Sequence, residues 1–211
     1  MRLIDLRQLG SGAVSAVRDV GGTGDESSPH NSIELTRLDV RHYGVTPELA
    51  LSYAQAAAVC LSRRDRPPID VDISADVAPQ RQYRVAWTAA TARERATWNN
   101  DDDATRDGAY CIVLAAAEAH LGLVALARTK TKTGADYHVA PMATGIGPDG
   151  ELDLETSIRL EVSGIDRCDS EAMLLRRLRE KVEQAGRGKS PLPALAGVVG
   201  FSLHRIAFRE A

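Results

Sequence analysis

The chain has 211 residues, 44% of them hydrophobic and 26% charged, ordinary globular values for one large domain, or a domain with an appendage, that buries a real core. A formal net charge of −3 excludes a global basic field that would recruit nucleic acid, so binding of that kind has to use a local patch. Aromatic residues make up only 4%, which leaves Ala, Leu and Val to fill the core and favours close helix–sheet packing.

Of the 26 basic residues, four are lysines: Lys130, Lys132, Lys181 and Lys189. An Arg- and Ala-rich bias of this kind follows genomic base composition more often than function. Cys60, Cys111 and Cys168 are odd in number, widely spaced and without a CxxC, so they read as reduced thiols rather than a disulfide framework or a zinc site. No apolar run approaches a membrane span, and the expected compartment is the cytosol.

Met1 to Leu6 is compatible with a short strand, and Gly10 to Ser32 is a long Gly- and Ser-rich loop whose GGTG lacks the ending of a phosphate loop. Ile33 to Tyr43 reads as a strand with a slip in its alternation. Thr46-Pro47-Glu48 opens a helix to about Arg64, with Leu49, Tyr53, Ala56 or Ala57, and Cys60 facing inward. Ile69 to Ser74 and Arg81 to Thr88 alternate as strands, and Ala92 to Trp98 allows a short helix. Asp101-Asp102-Asp103 looks like a metal site, but three consecutive carboxylates cannot all point one way, and acids ahead of a helix meet the positive end of its dipole.

From Asp107 to Leu121 the pattern is helical, and Tyr110, Leu114, Ala117, Glu118 and Leu121 share one face, with a glutamate inside the apolar stripe. Gly122 ends this helix, and GLVALART followed by ADYHVAP reads as a hairpin turning at Thr131 to Gly134. In Asp153 to Gly164, Ile158, Leu160 and Val162 alternate with Ser157, Arg159, Glu161 and Ser163, one face apolar and the other polar. Three carboxylates, Glu118, Asp136 and Glu161, thus lie on consecutive elements that could converge. Each also has a plain alternative. Glu118 could pair with Arg128, Arg159 or His138, Asp136 could serve as a turn residue, and Glu161 could sit on a solvated strand face.

Asp169-Ser170-Glu171 starts a second long helix with Ala172, Leu175, Leu178 and Val182 as its expected buried stripe. Arg176, Arg177, Arg179 and Lys181 spread over the other faces and, with Lys130 and Lys132 in the hairpin turn, form the local basic patch for nucleic acid. Leu195 to Phe208 reads as a last, mostly apolar strand bent at Gly197 and Gly200.

The order helix, strand, strand, strand, helix, strand from Asp107 to Phe208, with acids on the first helix, second strand and third strand, resembles the PD-(D/E)XK nuclease superfamily. The resemblance implies an α/β fold with a central mixed sheet flanked by helices, a nuclease-like core over 101–211 and an N-terminal α/β extension over 1–100. It implies Mg²⁺ or Mn²⁺ held by Glu118, Asp136 and Glu161, and metal-dependent phosphodiester hydrolysis of nucleic acid, DNA before RNA, in bacterial defence or mobile-element biology. Ser163 stands where that family usually has lysine, and Ala135 where it has proline. Arg159, Lys130 or Lys132 could supply the missing charge. The rival expectation is a non-catalytic subunit of the same fold that contacts nucleic acid, a protein partner or a second copy of itself. Neither reading involves a membrane.

Overall fold

Eight strands form one mixed sheet in the computed structural model, which describes residues 31–130, 134–147, 149–188 and 190–211. In chain order the elements are β1 (Ser32–Glu34), α1 (Leu38–Arg41), α2 (Pro47–Ser62), β2 (Ile69–Ala75), β3 (Ala78–Ala86), α3 (Ala92–Thr97) and α4 (Asp101–Leu121). Then follow β4 (Leu123–Arg128), β5 (Tyr137–Pro141), α5 (Met142–Gly145), β6 (Ile158–Ile165), α6 (Glu171–Gly186), β7 (Ala194–Gly200) and β8 (Arg205–Glu210). Across the sheet the strands run β1-β3-β2-β8-β7-β6-β5-β4, with β1/β3, β2/β8 and β6/β7 parallel and the other pairs antiparallel. The three strands from the first hundred residues therefore extend the same sheet as the later five, joined through β2 and β8. The expected loop over 10–32 and strand over 1–6 lie, but for Asn31 and Ser32, outside the described residues.

Helices cover both faces. On one side α2 and α4 pack together over Ile33, Ile73, Val85, Leu123, Ile158, Leu160 and Val162. On the other, α6 lays Leu174 and Leu178 against Ala196, Val198 and Ala207, and the 146–154 loop covers Val124, Leu126 and Ala140. The scarcity of aromatics shapes the α2–α4 contact. A Cβ on Gly108 would stand 3.1 Å from the backbone of Ala57, so the two helices meet through alanine and glycine. Among the described residues no helix is long and apolar enough to cross a membrane.

Several boundaries differ from the sequence reading, each for a local reason. The expected strand over 33–43 stops at Glu34, because Arg37 takes a left-handed conformation (φ 54°) and Arg41 folds back to donate to the carbonyls of Glu34, Thr36 and Arg37. Helix α4 begins at Asp101 rather than near Asp107, with the Asn100 side chain accepting from the amides of Asp102 and Asp103. The Asp101–Asp103 run is its first turn, where acids meet the helix dipole. The expected single strand over 195–208 is a hairpin, β7 and β8, reversed through a turn in which His204 has φ 54° and its imidazole Nε2 lies 2.9 Å from Asp65 Oδ2. Strands β4, β5 and β6 are neighbours in the sheet, paired antiparallel in that order.

Candidate functional site

A cleft of about 750 Å³ opens where β5 and β6 part, between the first half of α4 and the last turns of α6. Tyr110, Arg128, Asp136, Glu161, Arg177 and Lys181 are among its walls. The cleft exists because of how β5 ends. Its pairing with β6 stops at Tyr137 opposite Leu160, and the next rung is closed by a side chain instead of main chain. The amide of Val162 donates to Asp136 Oδ2 at 2.8 Å, while the Asp136 amide still donates to the Leu160 carbonyl at 2.8 Å. Tyr110 on α4 donates its hydroxyl to Asp136 Oδ1 at 2.7 Å. Asp136 is thus held from the strand and from the helix, with lone pairs left over on both oxygens.

Asp136 lies just past the last paired rung, close enough to Glu161 for the two carboxyls to interact. Glu161 points to the α6 side of the sheet, together with Arg159 and Ser163. That face is not solvated: Glu161 is 3% exposed. Burial, and then the negative charge of Asp136, push its carboxyl up to about 7, against the opposing pull of Lys181. Lys181 Nζ lies 2.7 Å from Glu161 Oε1 and 3.0 Å from Gln184 Oε1.

Lys181 reaches Glu161 because the inner seam of α6 is not the one expected. Ala172 is exposed and Leu175 and Val182 are only partly buried; the seam is Leu174, Leu178, Lys181 and Ala185, at i, i+4, i+7 and i+11. A lysine interrupts this stripe, so a reading that follows hydrophobicity alone chooses the neighbouring face. Gly164 completes the fit between β6 and α4. A Cβ there would lie 2.8 Å from the Thr105 carbonyl, so no larger residue allows the strand this close to the helix wall of the cleft.

Glu118 is elsewhere, and the expected convergence of three carboxylates is corrected to two. It lies eight residues from Tyr110, about 12 Å along the helix. There it accepts from Arg41 Nε at 2.8 Å and meets His42 Nε2 at 3.2 Å. Burial would raise its pKa, but the hydrogen bonds from His42 and Arg41 outweigh that and hold it below the usual carboxylate range. None of the three partners weighed for it from sequence is involved. Arg159 is also corrected: it is buried and donates to the carbonyls of Ala185 and Leu192, tying the end of α6 to the 192 segment. His138 pairs with Ser157 Oγ at 2.8 Å instead of entering the cleft.

Ser163, Lys130 and Arg177 do line the cleft, whereas Arg176 and Arg179 are exposed elsewhere on α6 and Lys132 lies outside the described residues. Two wall residues escaped the sequence reading in their roles. Tyr110 was visible as one end of the helix stripe and Arg128 as the charged end of an apolar strand, but neither spacing says that a phenol will hold Asp136.

Among the described residues, five cations (Arg106, Arg128, Lys130, Arg177 and Lys181) and three carboxylates (Asp102, Asp136 and Glu161) face the cleft, a net positive opening in a chain of net charge −3. Among the described residues, no three His, Cys, Asp or Glu side chains are grouped to hold a metal ion. No family model, curated protein or solved structure matches the chain.

Proposed function

We propose that the protein is a metal-dependent nuclease of the PD-(D/E)XK kind, hydrolysing nucleic-acid phosphodiesters, DNA before RNA. The observation that carries this reading is the Asp136–Glu161 pair with Lys181 beside it, at one end of a cleft whose other charges are mostly positive. The order α4, β4, β5, β6, α6, β7, with β6 parallel to β7, supports it from the side of topology.

The residues fit a divalent cation. The negative charge of Asp136 helps raise the proton affinity of Glu161, and Mg²⁺ needs only one or two protein carboxylates, filling its other positions with water and phosphate oxygen. Bound between Asp136 and Glu161, Mg²⁺ or Mn²⁺ would supply charge for the phosphate and acidify water. The chain's own residues do the rest. Tyr110 and the Val162 amide fix the Asp136 carboxylate, and Lys181 holds an ammonium beside Glu161, the charge that Ser163 cannot bring from β6. Water adds to phosphorus as the ester P–O bond to the leaving oxygen opens. The proton that the water loses goes to solvent and solvent protonates the leaving oxygen, and positive charge at Lys181 offsets the negative charge that develops on phosphate oxygen.

The test joins binding to chemistry. Mg²⁺ or Mn²⁺ should raise the melting temperature of the wild type, and Asp136→Asn or Glu161→Ala should abolish that rise. Wild type should cut DNA or RNA in the same metal, and Lys181→Met should not. A wild type that neither gains stability from either metal nor cuts either nucleic acid overturns the reading, and the cleft then serves binding alone.

A further inference from the structure

Arg128 stands apart from the other cations of the cleft. Arg106 is engaged by Asp103 and Asp107, Arg177 lies 3.7 Å from Glu180, and Lys181 is held by Glu161. Arg128, at the end of β4, has no carboxylate within ion-pair distance among the described residues. It has aromatic rings instead. Its guanidinium carbon lies 4.8 Å from the ring centres of both Tyr110 and Tyr137, and Nη1 donates to the Tyr53 hydroxyl at 3.2 Å.

The three tyrosines brace one another as well. Tyr53 and Tyr110 lie 5.2 Å apart centre to centre, Tyr110 and Tyr137 5.8 Å apart, and the Tyr53 and Tyr137 hydroxyls 3.0 Å apart. In a chain with 4% aromatic residues, three of five tyrosines converge on this one side chain. Aromatic faces hold a guanidinium by cation–π attraction without neutralising it. A carboxylate would have neutralised the guanidinium, whereas the tyrosines leave its charge, and the N–H donors not engaged by their hydroxyls, to a planar or tetrahedral anion.

Tyr110 serves two functions at once. Its ring lies against Arg128 and its hydroxyl holds Asp136. One phenol therefore sets the spacing between a preformed cation and the carboxylate pair.

We infer that Arg128 is the phosphate-positioning residue of the cleft, a guanidinium fork that takes two oxygens of the phosphodiester and presents it to Asp136 and Glu161. The inference deepens the proposed nuclease reading and rests on it. Its ligand chemistry is a backbone phosphate, with no recognition of base identity.

The experiment uses the full chain and two probes, a short fluorescent DNA duplex and one of its single strands, with calcium present and salt varied. Arg128→Gln should weaken binding about tenfold and lower the dependence of log affinity on log salt by about one, because one phosphate contact is gone. Arg128→Lys keeps the charge but not the fork, so it should retain the salt dependence and still bind several-fold more weakly. Melting temperatures are recorded for each variant, and binding is compared where all are folded, since loss of the ring contacts also costs stability. Wild-type affinity in Arg128→Gln would overturn the clamp while leaving the nuclease reading intact. Equal affinity of Arg128→Lys and wild type would overturn the fork. A wild type that binds neither probe would overturn the clamp on DNA, and the nuclease reading falls with it if neither DNA nor RNA is cut.

Discussion

Two glutamates, one read from sequence on an apolar helix face and one on a polar strand face, end in opposite electrostatic circumstances. Glu118 meets Arg41 and His42 and sits below the usual carboxylate range, its charge matched by donors. Glu161 sits beside another carboxylate with Lys181 as its ion-pair partner, and it is pushed up to about 7. The first arrangement holds the fold together. His42 Nδ1 also accepts from the Ala125 amide at 3.0 Å, and the Gly44 amide donates to the Ala125 carbonyl at 2.9 Å, so this cluster closes the outer edge of β4 at the margin of the sheet. The second arrangement sets two carboxylates against a single ion-paired lysine among the described residues. Clefts with unsettled charge pairs are where ligands and chemistry are found.

Substitution should separate the two sites most sharply in activity. Asp136→Asn or Lys181→Met should lower cleavage by about 10²–10³-fold or more, the range seen when one electrostatic contact to a reacting group is removed. Glu118→Gln should leave cleavage per folded molecule unchanged. Steady-state rates normalised to the folded fraction check this, and equal losses at both sites would erase the distinction.

The pH dependence follows from the same contrast, with its sign fixed by linkage. The folded Glu161 carboxyl binds its proton more tightly than the unfolded one, so between the ordinary glutamate range and about pH 7 the native state carries more protons. Without metal, stability should therefore fall as pH rises through that window, by roughly 2–3 kcal/mol. Glu161→Gln should flatten the slope. Added Mg²⁺ or Mn²⁺ competes with the proton and should stabilise more at pH 8 than at pH 6. Glu118 titrates the other way: its lowered pKa gives stability that is present above its unfolded value and is lost as pH falls below the usual carboxylate range. Denaturant melts across pH in the presence and absence of metal read both trends. A metal effect that does not vary with pH would detach the cation from Glu161.

Removing the matched charge should cost stability and nothing else. Glu118→Ala leaves Arg41 and the buried His42 without their acceptor, at an expected cost of about 2 kcal/mol. That is less than for a fully enclosed pair, because a quarter of the Glu118 side chain is exposed. Denaturant unfolding measures it, and a change under half a kilocalorie would reduce the cluster to decoration.

What could be read from sequence divides along the same line. Strand alternation and capping residues are local, and they located β4, β5 and β6, the Thr46 cap of α2 and the Ser170 cap of α6. Asp136 and Glu161 were legible as acids at the second and third strands after α4, but the long connection from Met142 to Ser157 leaves the register between those strands unread in the sequence. Glu118 was misplaced because a helix face shows which side is buried but not which turn lies over which strand end. Lys181 was placed in the basic patch on the outer faces of the helix because a charge in an apolar seam breaks the periodicity that defines the seam. Its partner comes from a strand 20 residues away, and that pairing is a tertiary fact. The Tyr53–Tyr110–Tyr137 brace around Arg128 joins residues up to 84 apart and leaves no local trace.

The smallest effect expected concerns Ser163, and it tests whether Lys181 supplies what β6 lacks. Ser163 lines the cleft on the strand that carries Glu161, and Lys181 approaches from α6. In the wild type, Ser163→Lys would add a second ammonium beside an existing one, and like charges at that distance oppose each other, so activity should stay level or fall. In the Lys181→Met background the same substitution places an ammonium where none remains. It should then recover roughly tenfold of the lost rate, short of the full amount because the new side chain starts from a different backbone position. The four-way comparison, wild type, each single variant and the double, reads this as coupling between positions 163 and 181. If Ser163→Lys raises activity equally in both backgrounds, the two positions act independently, and Lys181 is only the partner that keeps a buried glutamate charged.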